Sequence, residues 1–148
     1  MAEFRIAMDV PSGARATFDR LVDWDAHSRA IPLTRLRHAG PPHAGQRIVA
    51  RTGWRRLGFD DPMVVELLRR PAGDTTGDLA GLVEVRKTGR VIAGTVRWTV
   101  TPLEDGARVE WDQLLRLPWL PRLFDPLVGV VGRIAYRSGL GRLLDPAN

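Results

Sequence analysis

The stretch "LPWLPRLFDPLVGVVGRIAYRSGLGRLL", Leu117 to Leu144, decides the fold. It is long and apolar, and three readings compete: a membrane anchor, a core helix, or the wall of a cavity. A membrane span needs about 18 or more apolar residues with few charges. Arg122, Asp125, Arg133 and Arg137 interrupt this one too early. At the helical repeat of about 3.6 residues, the segment 123–138 gathers Leu123, Phe124, Leu127, Val128, Val131, Ile134 and Ala135 on one stripe. Gly129, Gly132, Arg133 and Tyr136 fall opposite. The pattern predicts a helix laid over an apolar surface, in preference to one lying on a membrane.

The surface to be covered is legible upstream. "FRIAMDV" puts Phe4, Ile6, Met8 and Val10 on one face and Arg5, Ala7 and Asp9 on the other, a half-buried strand. "PSGARATFDRLVDWDAH" follows as a helix, with Ser12 as its N-cap and Ala14, Phe18, Leu21 and Val22 at helical spacing. Pro32 closes a second short helical turn around Ala26–Ile31, and "GPPHAG" is a turn. "QRIVART" alternates, with Ile48, Ala50 and Thr52 together. "GWRRLGFDDP" reads as a loop and "MVVELL" as a strand. "GLVEVRKTGRVIAGTVRWTVTPLEDGARVEWDQLLRL" reads as three strands with tight turns at Thr88-Gly89 and Glu104-Asp105-Gly106. Ile92, Gly94, Val96, Trp98 and Val100 share one face of the middle strand. Val109, Trp111, Gln113 and Leu115 share one face of the last. An antiparallel sheet apolar on one side must be covered, and the terminal helix is the one element long enough.

Composition narrows the classes. The chain of 148 residues is expected to form a single ligand-binding domain over 1–148. Its 44% hydrophobic and 26% charged content is that of a globular chain. The absence of cysteine excludes disulfides and thiolate chemistry. "MAEFRIAMDV" lacks the basic-then-apolar order of a signal peptide, so a cytoplasmic location is expected, with no transmembrane segment. The net charge is +5, yet Lys87 is the only lysine and the arginines are scattered through every segment. No basic helix is interleaved with aromatics, and no nucleic-acid partner is expected.

Three segments carry a family resemblance. "VPSGARATFDRLVDWDAHSRAIP", "TGWRRLGFDDPMVVELLRRP" and "WTVTPLEDGARVEWDQLL" resemble the opening, the strand–loop–strand and the closing strands of the START-like, or helix-grip, superfamily. That grouping includes polyketide cyclases and dehydrases, lipid-transport domains and Bet v 1-like proteins. The resemblance runs over about residues 3–144. It implies an α+β helix-grip fold: a curved antiparallel sheet of about six to seven strands wrapped around a long C-terminal helix, with two short helices after the first strand. It also implies an apolar cavity between sheet and helix, and it brings no universal catalytic motif.

Strand alternation names the expected cavity wall. Ile48, Ala50 and Thr52 come first, then Met63 and Val65. Val83, Val85, Gly94, Val96 and Trp98 continue it, followed by Val109, Trp111, Gln113 and Leu115. Phe124, Leu127, Val128 and Val131 come from the helix. Gln113 stands out, because an amide on an apolar face needs a partner, either a backbone group, a water or a ligand. Thr52 is the second inward polar group. At the entrance, Trp54, Phe59 and Asp60 are expected on a loop hinged at Gly53 and Gly58. Gly129 and Gly132 suggest close approach of a neighbouring segment or of a second copy in a homodimer, or a bend in the helix.

No catalytic set is apparent. His27, His38 and His43 have no metal-ligand spacing, and His27 in "DWDAHS" reads as part of an amphipathic turn with solvated acids. Asp61, before Pro62, reads as a turn residue, and Glu66 as solvated. No metal and no cofactor is expected. Three functions remain. The first is a binder of a hydrophobic small molecule such as a lipid, isoprenoid, quinone or polyketide. The second is a polyketide cyclase, aromatase or dehydratase acting in the same cavity. The third is a non-catalytic interaction or membrane-surface protein whose cavity has collapsed, with transient membrane contact.

Overall fold

The computed structural model describes residues 1–145 and 147. Strand β1 (Ala2–Val10) leads into two short helices, α1 (Ala14–Leu21) and α2 (Trp24–Ala30). Six strands follow: β2 (Thr34–Arg37), β3 (Arg47–Trp54), β4 (Leu57–Arg69), β5 (Gly81–Thr88), β6 (Ala93–Leu103) and β7 (Gly106–Arg116). A short 3-10 turn (Arg122–Phe124) runs into the terminal helix α3 (Asp125–Leu144). The seven strands form one antiparallel sheet in the order β1-β7-β6-β5-β4-β3-β2. No helix among the described residues is long and apolar enough to cross a membrane.

Period two sets the inner face as expected. Ile6, Val83, Val96, Trp98, Val100, Val109 and Trp111 are all buried in one core with Phe18, Leu21, Leu140 and Leu143. Each fully buried side chain of this kind is worth about 1.5–3 kcal/mol. The Phe18 ring packs so closely over Gly81 that a Cβ there would lie 2.5 Å from it.

Several local expectations change. Gly13, not Ser12, is the N-cap of α1, and no side chain caps it. The Asp74 carboxylate serves that end instead, accepting from the Arg15 N–H at 2.8 Å. The four-residue β2 was not legible. It pairs along β3, where Thr34 faces Thr52. "GWRRLGFDDP" is not a loop. β3 and β4 run on to a two-residue turn at Arg55 and Arg56, with Arg55 in the left-handed region (φ 54°). Gly53 and Gly58 face each other across this hairpin, and a Cβ on Gly53 would lie 2.4 Å from the Gly58 Cα. They are sites of close backbone packing rather than hinges.

The largest correction concerns α3. Leu123, Leu127, Val131 and Ile134 are exposed, Leu123 at 76% and Ile134 at 66%, and Phe124 is exposed as well. The helix turns its glycine side inward. A Cβ on Gly129 would lie 3.4 Å from the Glu3 carbonyl oxygen, and one on Gly132 would lie 2.8 Å from the Phe4 ring. The missing side chains let the helix backbone approach β1, and this close contact, rather than the apolar stripe, fixes the helix rotation. The surface considered for a second subunit is therefore occupied by the chain's own first strand. Burial shifts to the C-terminal end, at Gly139, Leu140, Leu143 and Leu144.

Candidate functional site

An internal cavity of about 320 Å³ opens between the inner sheet face, α2 and the C-terminal half of α3. The sheet wall is mostly aliphatic, from Ile48, Ala50, Val85 and Val96. Trp98 and Trp111 form an aromatic floor. They face each other directly in the β6–β7 register, so their rings stack at 4.7 Å with a 9° interplanar angle. Trp24 meets Trp98 edge-on at 6.4 Å, and Tyr136 packs 5.7 Å from Trp111. Ala135, Tyr136, Gly139, Leu140 and Leu143 of α3 close the other side.

Of the expected lining residues, Thr52, Met63, Val85, Val96, Trp98 and Trp111 reach this cavity, as do Ile48 and Ala50. Val65, Val83 and Val109 are buried in solid core beyond it. Gly94 is spent on the sheet itself, since a Cβ there would collide with the Leu114 carbonyl at 2.0 Å. Leu115 is buried on β7 but does not line the cavity. Gln113 is fully buried but does not line the cavity; its Oε1 accepts from Trp111 Nε1 at 3.0 Å. The oxygen of this amide is held by a neighbouring indole, which fixes the ring that forms the floor, while its Nε2 is buried with no hydrogen-bond partner among the described residues. Phe124, Leu127, Val128 and Val131 do not reach the cavity, because α3 is rotated as described. At the expected entrance, Phe59 lines the wall. Trp54 is exposed at the hairpin tip under the Arg55 guanidinium, 4.8 Å from the ring. Asp60 is bridged on the surface by Arg37 and Arg51, each at 3.3 Å.

Three titratable residues that the sequence pattern does not place on the cavity wall line this mostly apolar space: His27, Asp61 and Lys87. The last two form a buried ion pair with side chains 6% exposed. Alternation along β4 puts Asp61 on the face of Met63, and Lys87 pairs with Met63 across β4–β5. Lys87 Nζ donates to Asp61 Oδ2 and lies 3.4 Å from Met63 Sδ. Asp61 Oδ1 is buried and has no hydrogen-bond partner among the described residues. An ammonium has three N–H donors, so Lys87 also keeps one in reserve. Burial opposes the Lys87 charge, but Tyr136 and Asp61 outweigh it and hold the pKa above the ordinary lysine value. Glu66, by contrast, is paired with Arg86 on the outer face.

His27 lies on the inner side of that amphipathic turn, whose acids Asp23 and Asp25 are exposed. It is buried, and its Nε2 lies 2.7 Å from the Leu21 carbonyl oxygen. A carbonyl only accepts, so Nε2 carries the proton and Nδ1 of the neutral ring is an acceptor. Burial pushes the His27 pKa below its ordinary value. Thr34 and Thr52 add a hydroxyl pair at 2.9 Å on the same lining. The site is thus an apolar chamber with a stacked-indole floor and a few polar groups that have unfilled bonds.

No family model and no curated protein matches the chain. Solved structures do. TTHA0849 from Thermus thermophilus superposes with a TM-score of 0.73 at 15% identity, over 97% of this chain and 94% of that one. The Zhui aromatase/cyclase from Streptomyces sp. R1128 gives 0.69 at 13% identity, over 98% and 92%. Ara h 8.0201, a Bet v 1 allergen, gives 0.64 at 10% identity, over 99% and 98%. These likenesses in the sheet, the paired short helices and the long terminal helix show that the chain has the helix-grip fold.

Proposed function

We propose that the protein binds a hydrophobic small molecule between its sheet and the C-terminal half of α3. The observation that carries this reading is the open chamber of about 320 Å³, walled by aliphatic side chains and floored by stacked Trp98 and Trp111. Enclosed apolar space with a few placed polar groups is the usual form of a small-molecule site. The volume suits a two- or three-ring compound or a short isoprenoid. The open space argues against a collapsed, purely structural interior. Native mass spectrometry of the protein purified from its own host tests the reading. A co-purifying apolar molecule that is lost when Val96 and Leu140 are both enlarged to Phe is the expected result. Retention of the same molecule by that folded variant would place its site elsewhere.

A second reading is favoured by the titratable groups on the cavity wall and by the aromatase/cyclase among the structural neighbours. Asp61 would take a proton from a carbon between two carbonyls of a polyketide chain. The enolate so formed would attack a distant carbonyl of the same chain, whose oxygen would receive a proton from Lys87. Folding the chain inside the chamber supplies proximity. A linear poly-β-ketone incubated with the protein should then change its distribution of ring-closure products. A distribution identical to that in buffer rejects this reading and leaves the first in place.

A further inference from the structure

Lys87 is the only lysine in a chain whose other strongly basic side chains are all arginine. It is not on the surface but on the cavity wall, paired with Asp61, and both side chains are 6% exposed. Removing a charge pair from water is costly, and an apolar pair of similar size commonly serves stability as well or better. Here the pair is also incompletely bonded. Asp61 Oδ1 is buried without a partner, and Lys87 has spent one N–H on Asp61 Oδ2 and one on Met63 Sδ. The remainder is one buried acceptor and one donor on two neighbouring side chains that line an apolar chamber.

A single hydroxyl satisfies both, since its hydrogen can go to Asp61 Oδ1 while its oxygen accepts from Lys87 Nζ. A carboxylate cannot, because it would face Asp61 with no proton to give. A hydrocarbon leaves both bonds unmade. A ketone or ether fills only the lysine side. Burial opposes the charged amine, but the Asp61 carboxylate bonded to Lys87 Nζ favours it, so a Schiff base with a ligand carbonyl is disfavoured. We propose that the Asp61–Lys87 pair is the polar anchor of the cavity, and that it selects ligands carrying a ring hydroxyl (a phenol, enol or alicyclic alcohol) on an otherwise apolar skeleton. This deepens the binding reading above and rests on it.

The single lysine makes the test direct. Protein grown with 13Cε-lysine has one lysine side-chain NMR signal, that of Lys87. It is titrated with 2-naphthol, 2-methoxynaphthalene and 2-naphthoate, and 1-anilinonaphthalene-8-sulfonate fluorescence reports occupancy of the chamber independently. A hydrogen bond to a charged group is worth about tenfold or more in affinity. The expected result is therefore that 2-naphthol displaces the dye at least about tenfold more tightly than 2-methoxynaphthalene and shifts the Lys87 signal most. In the D61L/K87M variant the two neutral probes should bind within about threefold of one another, because both charges leave together. Equal affinities in the unaltered protein, tighter binding of 2-naphthoate, or a preference that survives in the folded double variant would each overturn the proposal. If that variant does not fold, the comparison of probes in the unaltered protein decides alone. Binding of the dye without any hydroxyl preference rejects the anchor but keeps the cavity reading, whereas failure of every probe and the dye rejects both.

Discussion

The two halves of α3 are built from the same kind of residue and meet opposite fates. Leu123, Leu127, Val130, Val131 and Ile134 in and before the first half are exposed, whereas Leu140, Leu143 and Leu144 in the second are buried. Hydrophobicity alone does not separate them. Contact geometry does: Gly129 and Gly132 bring the first half down on β1 by its backbone, which leaves its large side chains facing outward. The second half has moved past β1 and lies over the cavity, where Leu140 and Leu143 form the lid. An apolar residue on a helix is therefore a core residue only where the partner surface lets its side chain, rather than the helix backbone, make the contact.

The most disruptive way to break the comparison is to spoil what the buried half closes over. Lys87→Met leaves the Asp61 carboxylate alone in the chamber and should cost about 3–5 kcal/mol in urea unfolding at neutral pH. Adding Asp61→Leu should recover most of that loss. The pair also predicts a pH dependence. Because the folded pKa of Lys87 is raised, its contribution is complete below the unfolded lysine value and is lost as pH rises through the folded one. His27 acts at the other end of the scale. Its folded pKa is lowered by burial, so its contribution holds above about 6.5 and is lost as pH falls through the folded value. Unfolding midpoints measured from pH 8 to pH 5 should decline less steeply in a His27→Gln variant.

Leu140→Ala should cost about 2–5 kcal/mol, the usual range for a buried leucine. Chemical denaturation would report it, together with a larger dye-accessible chamber. The glycines sharpen the contrast with a change of sign. Gly132→Ala presses a methyl into the Phe4 ring and should destabilise by about 1–3 kcal/mol, despite the better helix propensity of alanine. Gly141→Ala meets nothing within 4 Å and should stabilise by about 0.5–1 kcal/mol. Thermal melts of the two variants moving the same way would refute the close-approach account of the first half. Smallest of all, Leu127→Ala and Ile134→Ala should each change stability by less than about 0.5 kcal/mol. A loss above about 2 kcal/mol at either would mean that the first half is covered in solution after all.

The cavity shows where reading by period works and where it stops. Trp98, Trp111, Val85 and Val96 are found by alternation, because period two holds wherever a strand is recognised as a strand. The same parity carries Val83 and Val85 on to Lys87, and Met63 back to Asp61 and Phe59. Asp61 and Lys87 escape it because a charge is expected to face water and because Asp61 falls in a segment that reads as a loop. His27 escapes for another reason: an amphipathic turn with solvated acids does not tell that its inner ring reaches a cavity, although Trp24 and Ala30 on the same helix are buried with it.

The sequence by itself determined the strand alternation, the turn at Glu104–Gly106, the helical end of the chain and, through them, the helix-grip fold. Each is encoded locally, by side-chain period and turn chemistry over a few residues. Tertiary structure decided the rotation of α3, the partner of Gln113, the hairpin at Arg55 and the meeting of Asp61 with Lys87. The rotation of α3 and the ion pair depend on contacts between residues far apart in the chain, 26 positions in the case of the pair, whereas the Arg55 hairpin and the Gln113–Trp111 bond are local and turn on how strands pair and side chains pack. No local pattern reports whether a glycine stripe or a leucine stripe reaches the sheet first, because that is fixed by how closely two finished surfaces can approach.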